Sequence, residues 1–195
     1  MKYIISPPQL PDFADFVLYE GAFSLPEVDT ICGYWESEKV KAAAVNKNQR
    51  EHLSSEIRET DVQFLQPTAQ HNWIYDRLTQ CIVGANESRY RFDLQGFYEP
   101  LQLAKYRVGQ FFDWHYDFGA GIASIRKLSI SVQLSDDDEY AGGDLQFRVN
   151  TETHDTPRKK GTVAVFPSFI THRVTPITMG ARFSIVGWAT GRPYR

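Results

Sequence analysis

A chain of 195 residues with 42% hydrophobic residues is long enough for one compact domain. Its formal net charge of −3 argues against a basic surface for phosphate groups, so we expect no nucleic-acid partner. Its apolar runs are shorter than the roughly 18 residues that cross a bilayer, and prolines interrupt the apolar start of the chain, which excludes a signal peptide there. We therefore expect a cytoplasmic protein without a membrane partner.

The first 89 residues are typical of a helical support region. Ser24 and Glu27 have the spacing of a capping box, which predicts a helix that continues to about residue 37. Apolar residues at helical spacing predict a second helix over residues 69–84, which we expect to cover one face of a sheet. Short strands are predicted at 16–19 and 61–65.

From residue 90 the hydrophobic pattern changes to a period of two, with turn residues between short segments. The predicted strands span residues 91–97, 100–108, 111–116, 127–135, 144–149, 161–167, 171–175 and 181–189. Many short strands after a helical segment predict a mainly β fold with flanking helices, either a β-sandwich or a jelly roll. Since no linker divides the chain, we expect a single domain over 1–195, with its jelly-roll core at 90–190.

The pattern His-x-Asp at His115 and Asp117 is the most informative short motif. Side chains at i and i+2 of a strand point to the same face, so these two residues are candidate metal ligands. His172 would complete a set of two histidines and one carboxylate, which leaves positions open on Fe(II). The motif alone is weak, but Tyr106 before it and Arg182 after His172 make an accidental match improbable.

With these residues the chain resembles the Fe(II)- and 2-oxoglutarate-dependent dioxygenases. The resemblance is to the prolyl 4-hydroxylase-like branch and its bacterial PKHD-type hydroxylases, and it covers roughly residues 90–190. The matching stretches are 106–109, 115–117, 126–129, 140–145, 160–161, 166–168, 172, 180–184 and 187–188. It implies a double-stranded β-helix, which is the jelly-roll fold.

The resemblance also implies roles for individual residues. Fe(II) would be held by His115, Asp117 and His172, and 2-oxoglutarate would chelate the metal. Its distal carboxylate would pair with Arg182, whose planar guanidinium suits bidentate binding. Tyr106 would donate a hydrogen bond to the same carboxylate.

Other residues are candidates on weaker grounds. Ser184 is a plausible third donor to the co-substrate, and strand alternation points Gln133 into the same barrel. Arg126 is a candidate for binding the substrate. Trp114 and Trp188 are candidates for shielding the oxidant or lining the substrate cleft. Core packing is the alternative for both, and for Trp188 it explains the residue about equally well.

The function that the resemblance implies is hydroxylation of an unactivated C–H bond with O2, while 2-oxoglutarate is converted to succinate and CO2. Ascorbate is a candidate additional cofactor. A prolyl residue in a peptide or protein is the leading substrate. Alternatives are another amino-acid side chain or a small metabolite, a nucleic-acid oxygenase, which the net charge disfavours, and a non-catalytic jelly-roll binding module, which the complete set of ligands disfavours.

Overall fold

The computed structural model describes residues 12–36, 41–42 and 57–193. Most of the polar segment at 38–60 lies outside the described residues. The described α-helices are α1 (Leu25–Cys32) and α2 (Asn72–Ala85), and α2 continues into a π-helical turn at Asn86–Tyr90. The strands are β1 (Val17–Tyr19), β2 (Lys41–Ala42), β3 (Arg58–Glu59), β4 (Asp61–Leu65), β5 (Leu94–Phe97), β6 (Leu101–Arg107), β7 (Phe111–His115), β8 (Arg126–Gln133), β9 (Tyr140–Gly142), β10 (Leu145–Val149), β11 (Glu152–Asp155), β12 (Val163–Pro167), β13 (His172–Val174) and β14 (Ile177–Gly191).

The strands form two antiparallel sheets. The large sheet has the order β1-β12-β8-β14-β6-β4-β2, and β5 and β9 also pair with β14. The small sheet has the order β11-β10-β13-β7-β3. This arrangement confirms the predicted jelly roll with flanking helices. Each strand predicted after residue 90 is present, while β9 and β11 were not predicted because both lie among turn residues and charged residues.

Strand β8 shows how the sequence separates the two sides of the large sheet. Its apolar side chains join the core beneath the helices: Leu128, Ile130 and Val132. Its intervening polar side chains are also buried: Ser129, Ser131 and Gln133. Because successive strand residues face opposite sides, the polar set points away from the helices and into the space between the two sheets. The polar side chains of β8 therefore face the interior of the barrel.

The two helices cover the outer face of the large sheet. At the start of α1 the Glu27 carboxylate accepts a hydrogen bond from the Ser24 backbone N–H at 2.7 Å, which is the predicted capping-box contact. Val28 of α1 and Leu78 of α2 are fully buried in the same core, and each such burial contributes roughly 1.5–3 kcal/mol. Neither described helix has the length and hydropathy that a membrane span requires.

The segment before residue 90 supplies strands as well as helices. Strand β1 pairs with β12, and β4 pairs with β6 over five residues, Asp61 to Leu65. Both strands were predicted, at 16–19 and 61–65. The segment predicted as a helical support region therefore also extends the large sheet on both sides.

Gly161 allows the turn before β12 to approach the turn before α1. Its φ of +82° is in the left-handed region, and a Cβ at this position would lie 2.1 Å from the backbone oxygen of Phe23. The backbone N–H of Phe23 donates to the Gly161 carbonyl at 3.1 Å. We expect Gly161→Ala to lower the free energy of unfolding through both the strained backbone and the clash, measured by urea denaturation.

Gly21→Ala is the matched control for this substitution. Gly21 also has a positive φ, +64°, but no atom lies within 4 Å of the added Cβ. We expect it to cost only the left-handed backbone penalty, about 1–2 kcal/mol, and Gly161→Ala to cost clearly more. Equal losses in the two variants would contradict the clash.

Candidate active site

Strand pairing brings two histidines together. His115 ends β7, His172 begins β13, and the two residues lie directly opposite each other in the antiparallel register. Asp117 follows β7 in a turn, where its backbone N–H donates to the Ser168 carbonyl at 2.8 Å. The candidate ligand atoms of the three residues all lie within 4.8 Å of one another. Sequence analysis predicted this cluster, with one difference: Asp117 lies just past the end of the strand.

The hydrogen bonds of the two imidazoles fix their orientation. The Nδ1 atom of His115 lies 2.7 Å from the Asp113 carbonyl oxygen, and that of His172 lies 2.9 Å from the Ile170 carbonyl oxygen. A carbonyl oxygen only accepts, so each Nδ1 carries the proton and each Nε2 keeps its lone pair. The Nε2 atoms lie 3.7 and 3.6 Å from the two carboxylate oxygens of Asp117. Three electron-pair donors therefore face a common point.

The charge states of the cluster suit metal binding. Burial, together with the neighbouring His172, lowers the pKa of His115 to about 3, so its imidazole is neutral at neutral pH. Burial alone would raise the pKa of Asp117, but the two imidazoles and a hydrogen bond from Ser129 outweigh it and lower that pKa. A neutral imidazole and an ionised carboxylate are the forms that coordinate a metal ion.

Ser129 holds the carboxylate in place and was not singled out from the sequence. Its hydroxyl donates to Oδ2 of Asp117 at 2.6 Å, and the hydroxyl oxygen of Ser168 lies 3.0 Å from that of Ser129. Ser129 is fully buried. The alternation of polar and apolar residues on β8 was the available signal, since it places Ser129 on the interior side with Gln133.

A buried arginine lies on the neighbouring strand β14. Arg182 is 2% exposed and lies opposite Tyr106 of β6 in the register of the large sheet. Its Nε donates to the amide oxygen of Gln133 at 3.1 Å, and its Nη1 donates to the Ser184 hydroxyl at 3.3 Å. No carboxylate in the described part of the chain forms an ion pair with it. Because a buried charge without a counterion is costly, this guanidinium is suited to an anionic ligand.

One cavity between the sheets connects the histidine–aspartate cluster with this arginine. Its wall includes the three cluster residues together with Tyr106, Arg182, Ser184 and Trp188. Gln133 is placed behind Arg182, where its amide nitrogen donates to the Ser135 carbonyl at 2.7 Å and to the Tyr140 hydroxyl at 2.9 Å. Gln133 therefore orients the guanidinium, whereas Tyr106 and Ser184 line the cavity itself.

Arg126 is held by contacts inside the protein. Its guanidinium binds both carboxylate oxygens of Glu99, at 2.6 and 2.7 Å, and donates to the Asp117 carbonyl oxygen at 3.1 Å. It also stacks on the ring of Trp188, with 3.7 Å between the guanidinium carbon and the ring centroid. These contacts place Arg126 behind the cavity wall, where it supports Trp188 and the turn that carries Asp117.

Trp114 occupies a different place from the one predicted. It lies between the guanidinium groups of Arg148 and Arg173, whose carbon atoms are 4.0 and 4.5 Å from its ring centroid. Strand alternation explains the difference: the residue before His115 points to the opposite face of β7, which is the outer face of the small sheet. Trp114 is therefore not part of the wall of the cavity that holds the cluster.

A jelly roll that holds two histidines and one carboxylate around a common point has the architecture of a non-haem iron protein. Residues 101–190 match the family model of the 2OG-Fe(II) oxygenase superfamily. Through these residues the chain is similar to that superfamily, as the resemblance of its motifs predicted. The family implies Fe(II), 2-oxoglutarate and O2, and the cluster and the unpaired buried Arg182 fit the first two of these.

Among similar proteins are PKHD-type hydroxylases. The chain is 34% identical to one from Synechococcus sp. (strain CC9605) over 98 residues, which cover 50% of this chain and 44% of the relative. It is 33% identical to one from Hyphomonas neptunium over 104 residues, which cover 49% and 46%. The chain thus spans about half the length of the relatives that it matches.

Solved structures share the fold over most of the chain. A prolyl-4-hydroxylase from Pseudomonas putida superposes with a TM-score of 0.73 at 21% identity, over 91% of this chain and 93% of that one. A prolyl hydroxylase from Trichoplax adhaerens, solved with a peptide fragment of the hypoxia inducible factor oxygen degradation domain, also has a TM-score of 0.73. It is 14% identical and covers 90% of this chain and 83% of that one. These likenesses confirm the fold.

We expect Ser129→Ala to weaken metal binding roughly tenfold, because residues that orient a metal ligand commonly contribute 10–100-fold in affinity. Equilibrium dialysis with Mn(II) under argon measures the effect. Ser124→Ala is the control, since that hydroxyl donates to the Gly121 carbonyl in a surface turn at 2.7 Å. An unchanged dissociation constant for Ser129→Ala would contradict the role of this hydrogen bond.

Proposed function

We propose that this chain is an Fe(II)- and 2-oxoglutarate-dependent dioxygenase that hydroxylates an unactivated C–H bond, with a prolyl residue of a peptide or protein as its substrate. One observation carries the proposal. The cluster of His115, Asp117 and His172 lines the same cavity as Arg182, a buried cation with no carboxylate partner among the described residues. A metal ion bound by the cluster and a dicarboxylate that pairs with Arg182 together supply the missing partners at the two ends of the cavity.

At the metal end, His115 and His172 supply the lone pairs of their Nε2 atoms, and Asp117 supplies a carboxylate oxygen. Three protein ligands leave positions free for other molecules, which a fourth protein ligand would block. Bound Fe(II) supplies the redox chemistry that couples oxidation of 2-oxoglutarate to succinate and CO2 with hydroxylation of the substrate. Ser129 keeps the Asp117 carboxylate oriented toward the metal through its hydrogen bond.

At the other end, Arg182 binds the distal carboxylate of 2-oxoglutarate. The guanidinium is already oriented by Gln133, so little conformational freedom is lost when an anion arrives. Tyr106 and Ser184 line the cavity beside it and add hydroxyl donors. Burial of all three residues excludes water, which strengthens the charge-assisted contacts.

The relatives support the nature of the substrate. Those with similar sequence are named PKHD-type hydroxylases, and those with similar structure include prolyl hydroxylases, one of them bound to a peptide. A peptide or protein substrate agrees with both. Hydroxylation at proline, cytoplasmic location and a role for ascorbate are parts of the proposal.

A mass-spectrometric assay tests the proposed function. The protein is incubated with Fe(II), ascorbate, 2-oxoglutarate and a panel of proline-containing peptides, and His115→Ala is the control. We expect succinate and a gain of one oxygen on proline, both absent in the control. Succinate without peptide oxidation would retain the dioxygenase and direct the search to other side chains or small metabolites. A protein that binds Fe(II) but produces no succinate would instead be a binding module.

We expect Arg182→Gln to raise the KM for 2-oxoglutarate roughly 10–100-fold, because a hydrogen-bonded ion pair is lost. Arg182→Lys keeps the positive charge but lacks the planar guanidinium that binds a carboxylate through two N–H groups, so we expect an intermediate KM. Succinate formation as a function of 2-oxoglutarate concentration measures the effect.

Arg107→Gln is the control for this series. Arg107 lies at the end of the adjacent strand β6 and forms an exposed ion pair with Asp61, 3.0 Å between Nε and Oδ2. We expect its KM to match that of the unmodified protein. An unchanged KM in Arg182→Gln would contradict the assigned contact.

A further inference from the structure

A second arginine lines the cavity, on the side of the metal cluster. Arg58 lies on β3 opposite Phe112 of β7, and its guanidinium carbon is 4.8 Å from the Phe112 ring centroid. The Phe112 ring stacks on the His115 imidazole, with 3.4 Å between centroids and 8° between planes. Arg58 and Arg182 both belong to the cavity wall. The stack of guanidinium, phenyl ring and imidazole thus places a positive charge beside the metal cluster.

The hydrogen bonds of Arg58 are incomplete. Its Nη2 donates to the amide oxygen of Gln102 at 3.1 Å, which is a neutral acceptor. Its Nε is buried and has no hydrogen-bond partner. Within the described ranges no carboxylate forms an ion pair with Arg58, whereas Arg77, Arg126 and Arg158 each bind one, at 2.5–2.9 Å. A buried donor without a partner is unfavourable unless a ligand supplies one.

The charges of the proposed function leave Arg58 uncompensated. The divalent metal ion is balanced by Asp117 and by one carboxylate of 2-oxoglutarate. The other carboxylate balances Arg182. Since no carboxylate among the described residues pairs with Arg58, we take the substrate as the component of the complex that brings a negative charge to it.

We propose that Arg58 is a substrate-binding residue that pairs with a carboxylate of the substrate, so that the preferred substrate is an acidic peptide with Asp or Glu close to the oxidised residue. This inference rests on the proposed function and specifies its substrate class. The carboxylate would accept the unpartnered Nε–H and a second guanidinium N–H as a bidentate pair. Because Arg58 stacks on Phe112 and Phe112 on His115, this pair would fix the substrate at a set distance from the metal cluster.

The test measures binding in the absence of turnover. Peptides with one proline carry Glu or Gln at each flanking position in turn, and their dissociation constants are determined under argon with protein loaded with Mn(II) and 2-oxoglutarate. We expect one Glu peptide to bind roughly tenfold or more tightly than its Gln counterpart, and its dissociation constant to rise with salt. Arg58→Gln should abolish this preference and this salt dependence.

Two variants complete the comparison. Arg58→Lys keeps the charge but loses the fork and the stacking geometry, so it should retain only part of the preference. Arg107→Gln removes an exposed arginine outside the cavity and should retain all of it. Unmodified protein that binds the Glu and Gln peptides equally would overturn the inference. So would an Arg58→Gln variant that weakens binding of 2-oxoglutarate and leaves the peptide preference unchanged.

The two proposals fail in different ways. Absence of succinate from Fe(II)-loaded protein at any 2-oxoglutarate concentration would contradict the dioxygenase and would not depend on Arg58. Equal binding of the acidic and neutral peptides would contradict the role of Arg58 while succinate formation continued.

Discussion

The pairing of β7 with β13 is the interaction on which the site depends. It sets His115 opposite His172, and each imidazole is then held by a carbonyl two residues earlier in its own chain segment. These backbone contacts alone direct the Nε2 lone pairs, which could coordinate a metal ion, toward the interior of the barrel. Asp117 closes the group because the turn after β7 is tied by its backbone to Ser168, which directly follows β12. The backbone of the small sheet thus fixes the two histidines, while Asp117 is tied to the large sheet through Ser168 and Ser129.

The large sheet supplies the complementary end of the cavity. Arg182, Ser184 and Trp188 are two to four residues apart along β14, and alternation turns them toward the same interior. The small sheet thus presents the two histidines, and the large sheet presents the buried arginine and hydroxyl group at the other end of the cavity. A molecule that satisfies both must carry negative charge at one end and chelating oxygens at the other.

Sequence analysis predicted the parts of the site that follow from short-range rules. The i, i+2 spacing of a short motif points to His115 and Asp117, although the turn after β7 brings Asp117 to the cluster. The resemblance of the motifs to a known family leads from there to His172 and Arg182. Trp114 was expected near the cleft, but it directly precedes His115, which faces the interior, and the neighbour of an inward-facing strand residue points outward. Arg58 could not be found in this way, because its position depends on the pairing of β3 with β7, which are separated by a helix and three strands. Ser129 could have been identified from the sequence, because the alternation of polar and apolar residues on β8 places it on the interior side.

The two arginines of the cavity are anchored very differently. Arg182 lies within a strand of 15 residues that pairs with β5, β6, β8 and β9, whereas Arg58 lies on a strand of two residues that, within the described ranges, pairs with β7 alone. The backbone at the first position is held by four neighbouring strands, while the backbone at the second is held at one edge of the small sheet. The proposed contact to the co-substrate and the proposed contact to the substrate therefore lie on separate parts of the fold. Related proteins could acquire new substrates by altering the edge strand, and the machinery for the shared co-substrate would remain intact.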